Sequence, residues 1–320
     1  MQRYAGFILY KEKTCVYTIK VKKGYERRDK LMENWEVIKH YREDKLLRDS
    51  FNALAEKTFD LNFEDWYQNG FWTDNYDPYS IVVDGKVVAN VSVNRTDMRI
   101  GGERKHLIQL GTVMTEESWR NRGLIRIIMQ EVWKDHGDAD GVYLFGNDSV
   151  VNFYPKFGFV PGKEYQYSKR TENTGACEME RIPMTSPTDW AKLRVVMERN
   201  AFQSGCEMVG NSELFFFYIS QFMQDCVFYS KALNAYAVAE QEGESLFLHT
   251  VFAEEPVALD DVIRAFGSGA KIVTLGFAPA DADGFERIDW HEEDCNFFVM
   301  GPAFDEFQSK ALRIPTLAHA

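Results

Sequence analysis

Leu110-Gly-Thr-Val-Met-Thr115, followed by Trp119-Arg-Asn-Arg-Gly-Leu-Ile125, is the stretch on which the reading of this 320-residue chain turns. Its first part continues a run of apolar and β-branched residues from His106 to Met114 that predicts a strand. From Leu124 to Trp133 the spacing becomes helical: Leu124, Ile128 and Val132, with Ile125 and Met129 beside them, share one face of a helix that ends near Gly137. A strand that enters a helix through a glycine-bearing loop leaves several backbone N–H groups unpaired and aimed at one spot. The helix N-terminus adds partial positive charge there, so the spot suits a pyrophosphate. Gly123 lets the backbone approach a ligand closely, and Arg120 and Arg122 add positive charge. Taken alone, Arg-Asn-Arg-Gly is weak evidence, because a basic turn before a helix is usually just solvated.

Working upstream, Ser80–Val83 and Val87–Val93 flank Asp84-Gly85, a dipeptide suited to a tight hairpin. Before it, Phe63–Tyr79 is crowded with aromatics and turn formers and reads largely as loop. Still earlier, from Glu36 onward, Leu46, Leu47, Phe51, Leu54 and Phe59 fall at helical spacing, which predicts one or two helices. Residues 1–31 read as an N-terminal extension of uncertain order, with a second methionine at Met32. Downstream of the helix, Val142–Phe145 predicts a short buried strand that leads to Asn147 and to Asn152-Phe-Tyr-Pro-Lys-Phe-Gly-Phe159. Pro155 disfavours helical geometry at Tyr154, so any helix there should kink or stop.

This ordered set resembles the GNAT superfamily of N-acetyltransferases, whose members share an Arg/Gln-x-x-Gly-x-Gly/Ala acetyl-CoA loop and a later Tyr followed by a Gly-Phe turn. Here the loop is Arg120-Asn121-Arg122-Gly123-Leu124-Ile125, so Ile125 stands where that pattern has a small residue. The resemblance is strong over roughly residues 46–167 and implies an α/β (α+β) fold with a mixed central sheet flanked by helices. It also implies acetyl-CoA as acyl donor. Val113, Met114 and Thr115 would pair with the pantetheine arm, Asn147 or Asn152 would help hold the cofactor, and Tyr154 would protonate the departing thiolate. The competing reading of Tyr154 is a core aromatic. Residues 32–174 would form this domain.

Residues 175–320 carry strand-like stretches at Ala235–Ala239, Leu246–Phe252, Ile272–Phe277 and Phe297–Met300, with a helix at Leu259–Phe266 and no phosphate loop. They are similar to a second, smaller and degenerate GNAT-like half that would shape the acceptor side. Charge also changes at this point. Residues 1–174 hold 27 basic and 26 acidic residues, whereas 175–320 hold 10 and 23. An acidic half argues against nucleic acid and would draw a small cationic amine, although carboxylates that only keep the surface soluble would look the same.

Five scattered cysteines without a CxxC pair fit a reducing cytoplasm. Six histidines without paired ligand spacing point away from a metal. The longest apolar run, Leu214–Ile219, is far short of the ~20 residues that span a bilayer. No signal-peptide core follows Met1, and a monomer or a homodimer is compatible with all of this. The aromatics Trp66, Tyr67, Trp72, Tyr76 and Tyr79 could border the acceptor cleft or simply fill core. No general base stands out among Glu103, Glu116, Glu117 or a carboxylate at Ala320. A rival reading is a non-catalytic acyl-CoA-binding sensor or interaction module.

Overall fold

A computed structural model describes residues 35–319, so the N-terminal extension and Ala320 lie outside the described residues. In chain order the strands of the first half are β1 (Val37–Ile38), β2 (Tyr76–Val83), β3 (Lys86–Arg95), β4 (Met98–Ile100), β5 (Glu103–Lys105), β6 (Leu107–Thr115), β7 (Gly141–Gly146), β8 (Val160–Pro161) and β9 (Glu164–Arg170). Its helices are α1 (Lys45–Phe59), α2 (Glu64–Gln68) and α3 (Leu124–Asp135). The second half adds β10 (Glu180–Arg181), β11 (Cys206–Met208), β12 (Val227–Ser230), β13 (Ala235–Glu242), β14 (Ser245–Ala253), β15 (Ile272–Leu275), β16 (Glu286–Trp290) and β17 (Asn296–Met300). Its helices are α4 (Pro187–Glu198), α5 (Ser212–Phe222), α6 (Leu259–Ala265) and α7 (Ala303–Ser309).

Local chemistry accounts for most element ends. The Asp44 carboxylate accepts from the amides of Leu46 and Leu47 and so starts α1, and Asp60 ends it in the left-handed region at φ 59°. Helix therefore begins at Lys45 and not near Glu36, where β1 and a turn lie instead. Asp84 and Gly85, at φ 50° and 75°, make the tight turn that joins β2 to β3. The stretch read as loop before them is more ordered than its composition suggests, because it contains α2 and the first four residues of β2. Pro78 is tolerated inside that strand because β1 pairs with β2 only at Ser80 and Ile81.

Two seven-stranded sheets organise the molecule, and each borrows a strand from the other half of the chain. The first has the order β1-β2-β3-β6-β7-β17-β8, and the second β10-β12-β13-β14-β15-β9-β16. Strand β17 comes from near the C-terminus yet pairs with β7 from Asn296↔Gly146 to Met300↔Val142. Conversely β9, the last strand before residue 175, sits between β15 and β16.

The first sheet separates two apolar layers. On one face Leu124, Ile128, Met129 and Val132 of α3 pack with Val142, Leu144 and Phe298. Burying each such side chain is worth ~1.5–3 kcal/mol, so the helical stripe read from the sequence is what fixes α3 to the sheet. On the opposite face Tyr143, Phe145, Phe297 and Val299 pack against the second half. Among the described residues no helix is long and apolar enough to cross a membrane, and Leu214–Ile219 lies in α5, where all but Tyr218 are buried.

Because the sheets trade β9 and β17, the two halves should unfold in one cooperative transition. Scanning calorimetry of residues 35–319 should give matching calorimetric and van't Hoff enthalpies, and two resolved peaks would contradict this.

Candidate active site

Strands β6 and β7 run parallel but pair only at Leu107↔Gly141, Ile108↔Val142 and Gln109↔Tyr143. Beyond that point they part. Leu110–Thr115 keeps β3 on one side and loses its strand partner on the other, which leaves a row of backbone groups along an open edge. A β-bulge in β6 accompanies the parting: Ser92 pairs with Gly111 and Asn90 with Met114, so β6 spends one extra residue there.

Thr112 sits in that bulge at φ 40°, a region β-branched residues rarely enter. Such strain costs ~1–3 kcal/mol and persists only where the surroundings over-determine it. Here a buried polar chain does so. The Asn90 amide donates to the Thr112 carbonyl and to Ser92 Oγ, both at 2.9 Å, and accepts from Ser80 Oγ at 2.8 Å. Thr112 Oγ1 meets Tyr76 Oη at 2.8 Å, and Ser80 Oγ meets Tyr41 Oη at 2.7 Å. Ser80, Asn90 and Ser92 are fully buried. Polar residues at the inward positions of an otherwise apolar strand were the signal for this network, which the sequence reading passed over.

The loop ahead of α3 has the geometry its glycine suggested. Asn121 and Gly123 are both left-handed, at φ 63° and 78°, and a Cβ on Gly123 would meet nothing within 4 Å. The first turn bonds of α3 run from Arg126 and Ile127 back to the Gly123 carbonyl. Among the described residues, no acceptor engages the amides of Asn121, Arg122, Gly123, Leu124 or Ile125. Arg120 and Arg122 fold back onto the chain: Arg120 Nε donates to the Thr115 carbonyl at 3.3 Å, and the Arg122 guanidinium lies 4.4 Å from the centroid of Trp119. Both remain exposed.

Tyr154 opens a 3-10 turn through Phe157, the tight stop that Pro155 imposes. Its ring lies beside Gly146 at the end of β7, where a Cβ would come within 3.0 Å of it. Leu110, Leu144 and Phe298 share its apolar cluster, with the part-buried Val113 and Ile125 packed against it. The hydroxyl makes no hydrogen bond among the described residues, and burial alone raises its pKa. Met114 is buried in the opposite layer, and Thr115 is part-buried. Asn147 spends its side chain on Ser149, accepting from its amide at 3.1 Å, while Asn152 is exposed.

Other candidates have different employment. Trp66, Trp72, Tyr76 and Tyr79 are buried; Trp66 stacks on Trp72 and Tyr76 on Phe63, Tyr76 meets Trp72 edge-on, and Tyr79 packs in the α3-side layer, so all four fill core. Tyr67 lies under the Arg48 guanidinium, 3.6 Å from its ring centroid. Glu116 is paired with Lys57 at 2.7 Å, which holds its carboxyl below the usual range, and Glu103 is paired with Lys105 at 2.6 Å. Glu117 is exposed. Among the described residues no group of three or more His, Cys, Asp or Glu is placed to hold a metal ion.

The segment from residue 311 to 319 enters the middle of the molecule from the second half. Tyr143 Oη, at the last paired position of β7, donates to the Ala318 carbonyl at 2.9 Å, and Tyr218 Oη donates to the His319 carbonyl. The His319 ring stacks on Phe145 with centroids 3.9 Å apart. Further back, Thr316 Oγ1 meets His249 Nδ1 at 3.0 Å, and His249 Nε2 meets Glu240 at 2.7 Å. No sequence pattern announced this tail.

The sequence of residues 38–162 matches the family model described as an acetyltransferase (GNAT) domain. Residues 38–162 are therefore a GNAT acetyltransferase domain. This GNAT domain ends just before β9, where the chain crosses into the second sheet. The chain is accordingly an acyltransferase, and domains of this family use acetyl-CoA. No curated protein matches the chain in sequence. Among solved structures, a probable N-acyltransferase of unknown function from Enterococcus faecalis is similar at 13% identity and a TM-score of 0.54, covering 86% of this chain and 74% of its own. A GCN5-related N-acetyltransferase from Kribbella flavida is similar at 15% identity and a TM-score of 0.50, covering 83% and 71%. At such identities the likeness is one of fold.

Replacing Asn90 with alanine should cost ~1–3 kcal/mol, because it strips the Ser80 hydroxyl and the Thr112 carbonyl of their buried partner. Urea titration checks this, and an unchanged midpoint would show that the bulge holds itself.

Proposed function

We propose that the chain moves an acetyl group from acetyl-CoA to the primary amine of a small, cationic acceptor, by direct transfer in a ternary complex. The observation that carries the proposal is the parting of β6 from β7 after Gln109↔Tyr143, with the unengaged amides of the α3 loop on one side and Tyr154 at its end. An open strand edge, free N–H groups at a helix N-terminus and a hydroxyl by the last residue of β7 are the three features a thioester donor needs.

In this reading the amides of Asn121 to Ile125 hold the diphosphate, with Arg120 and Arg122 turning from their present partners toward it. The β6 edge at Val113, Met114 and Thr115 takes the pantetheine arm as an added strand and polarises the thioester carbonyl. Ile125 borders the arm through its contact with the Tyr154 cluster and narrows that end of the groove. Tyr154 suits the acid role because it lies at the end of β7 and a phenol carries its proton at neutral pH, ready for the departing thiolate. The acidic balance of residues 175–320 favours a cationic acceptor. Cys295 lines the cavity beside Phe145 of β7; burial pushes its thiol up to about 12, which disfavours an acyl-cysteine intermediate there.

Thiol release from acetyl-CoA, measured against polyamines, aminoglycosides, amino acids and peptides, tests the proposal. Tyr154→Phe should lower kcat by ~100-fold while calorimetric acetyl-CoA affinity stays within about twofold. Equal turnover would remove Tyr154 from the mechanism, and donor binding without thiol release from any amine would favour the sensor reading.

A further inference from the structure

On the face of the first sheet opposite α3, a small cavity of about 30 Å³ is walled by Phe145, Glu164, Trp290, Glu292, Cys295 and Phe297. It lies against the end of β7, past the point where β7 leaves β6. Gly162 allows this wall to close, since a Cβ there would sit 2.4 Å from the Phe297 ring. None of these residues figures in the site read from the sequence. Glu164 starts β9 and Glu292 and Cys295 form the β16–β17 turn, so the wall exists only because the sheets trade strands.

Arg313, which is 1% exposed, stands behind the cavity with its guanidinium 4.9 Å from the Trp290 ring centroid. Its Nε and Nη1 have no hydrogen-bond partner among the described residues, yet its charge interacts with Glu164, Glu292 and Cys295. His319 Nε2, on the ring stacked over Phe145, is buried and unpartnered as well. Buried polar groups left in this state cost ~1–3 kcal/mol each, more for a charge, so the buried guanidinium depends on the Glu164 and Glu292 carboxylates whose charge it feels.

The carboxylates and the rings decide what the cavity can hold. Whenever both carboxyls are ionised they outnumber the one guanidinium, and the cavity walls include the rings of Phe145, Trp290 and Phe297. Carboxylates beside aromatic faces recognise an ammonium group, and ~10–15 Å³ already holds a water-sized group.

We propose that this cavity seats the amino group of the acceptor and that Glu164 takes its proton. The inference rests on the acetyl-transfer reading above and supplies the base that reading lacks. The acceptor arrives as R–NH₃⁺ and gives one proton to the Glu164 carboxylate. The freed nitrogen lone pair attacks the thioester carbonyl through the β6–β7 gap, the C–N bond forms, and the C–S bond breaks. The second nitrogen proton is lost as the departing thiolate gains one, and Glu164 returns its proton to solvent.

Burial pushes both Glu164 and Glu292 up to about 7, with Arg313 opposing the rise in each. Such a carboxyl can accept a proton near neutrality, and the two titrate as a pair. His291 also lines the cavity, from an exposed position, and Arg313 stands behind it. Burial raises the thiols of Cys206 and Cys295 and the phenols of Tyr143 and Tyr218, and pushes His319 down to about 3. Activity should therefore fall as pH drops through about 7, where the carboxyls become protonated.

Two measurements test this. Methylammonium titrated into the protein with coenzyme A present should shift the ¹³C carboxyl signals of Glu164 and Glu292. No shift in either signal would overturn the cavity as an amine seat, whether or not any amine is acetylated. Glu164→Gln keeps an oxygen for the Ile314 amide, which donates to Glu164 Oε1 at 2.9 Å in the native chain, so the variant should fold. It should lose ~100-fold in kcat/KM, lose the acidic limb of the profile, and bind acetyl-CoA as before. Glu292→Gln should keep that limb and raise the acceptor KM. Should Glu164→Gln retain both rate and limb, Glu164 is not the base. Shifted carboxyl signals without turnover by the wild type would leave the seat standing and overturn the transfer reading instead.

Discussion

Everything in the site follows from two parallel strands that stop pairing. Gln109 and Tyr143 make the last pair, and beyond them β6 and β7 diverge and leave a gap. Parallel strands do not part without a cause, because each lost ladder position strands a donor and an acceptor. The cause here is the bulge at Thr112. Its strained backbone is held by Asn90, Ser92 and Tyr76, a chain of buried polar side chains with few other partners to satisfy. Fully satisfied buried networks of this kind specify one geometry, which is what a gap of fixed width requires.

The two faces of the gap have different chemistry. On the α3 face the features are electropositive: a helix N-terminus, left-handed residues that turn amides outward, and two exposed arginines. On the opposite face the cavity by Phe145 carries two carboxylates. In the proposed reading a polyanionic donor and a cationic acceptor would occupy opposite faces, so neither would compete for the other's position.

The exchange of β9 and β17 makes that arrangement possible. Strand β17 lines β7 and brings Phe297, with Cys295 just ahead of it, to the cavity beside Phe145, while β9 carries Glu164 there. The tail from 311 to 319 is then pinned in the middle by Tyr143, Tyr167, Tyr218 and His249. Each half thus completes the other's site, and neither sheet keeps its strand order without the other half of the chain.

Local features were legible without coordinates because they depend on near neighbours. The Asp84-Gly85 turn, the α3 stripe from Leu124 to Val132, the left-handed Gly123 and the stop at Pro155 are set by residues within a few positions of each other. Together they determine the GNAT-type half and its donor side. The first turn of β2 was hidden by Asp77 and Pro78, whose strand state depends on partners Val93 and Ser92 across the sheet. What only the tertiary structure decided is the cavity on the face opposite α3. Glu164, Glu292, Cys295 and Arg313 are spread over 150 positions, and nothing periodic links them. Their meeting depends on which sheet β9 and β17 join, and strand pairing at that range is fixed by the packing of the whole core.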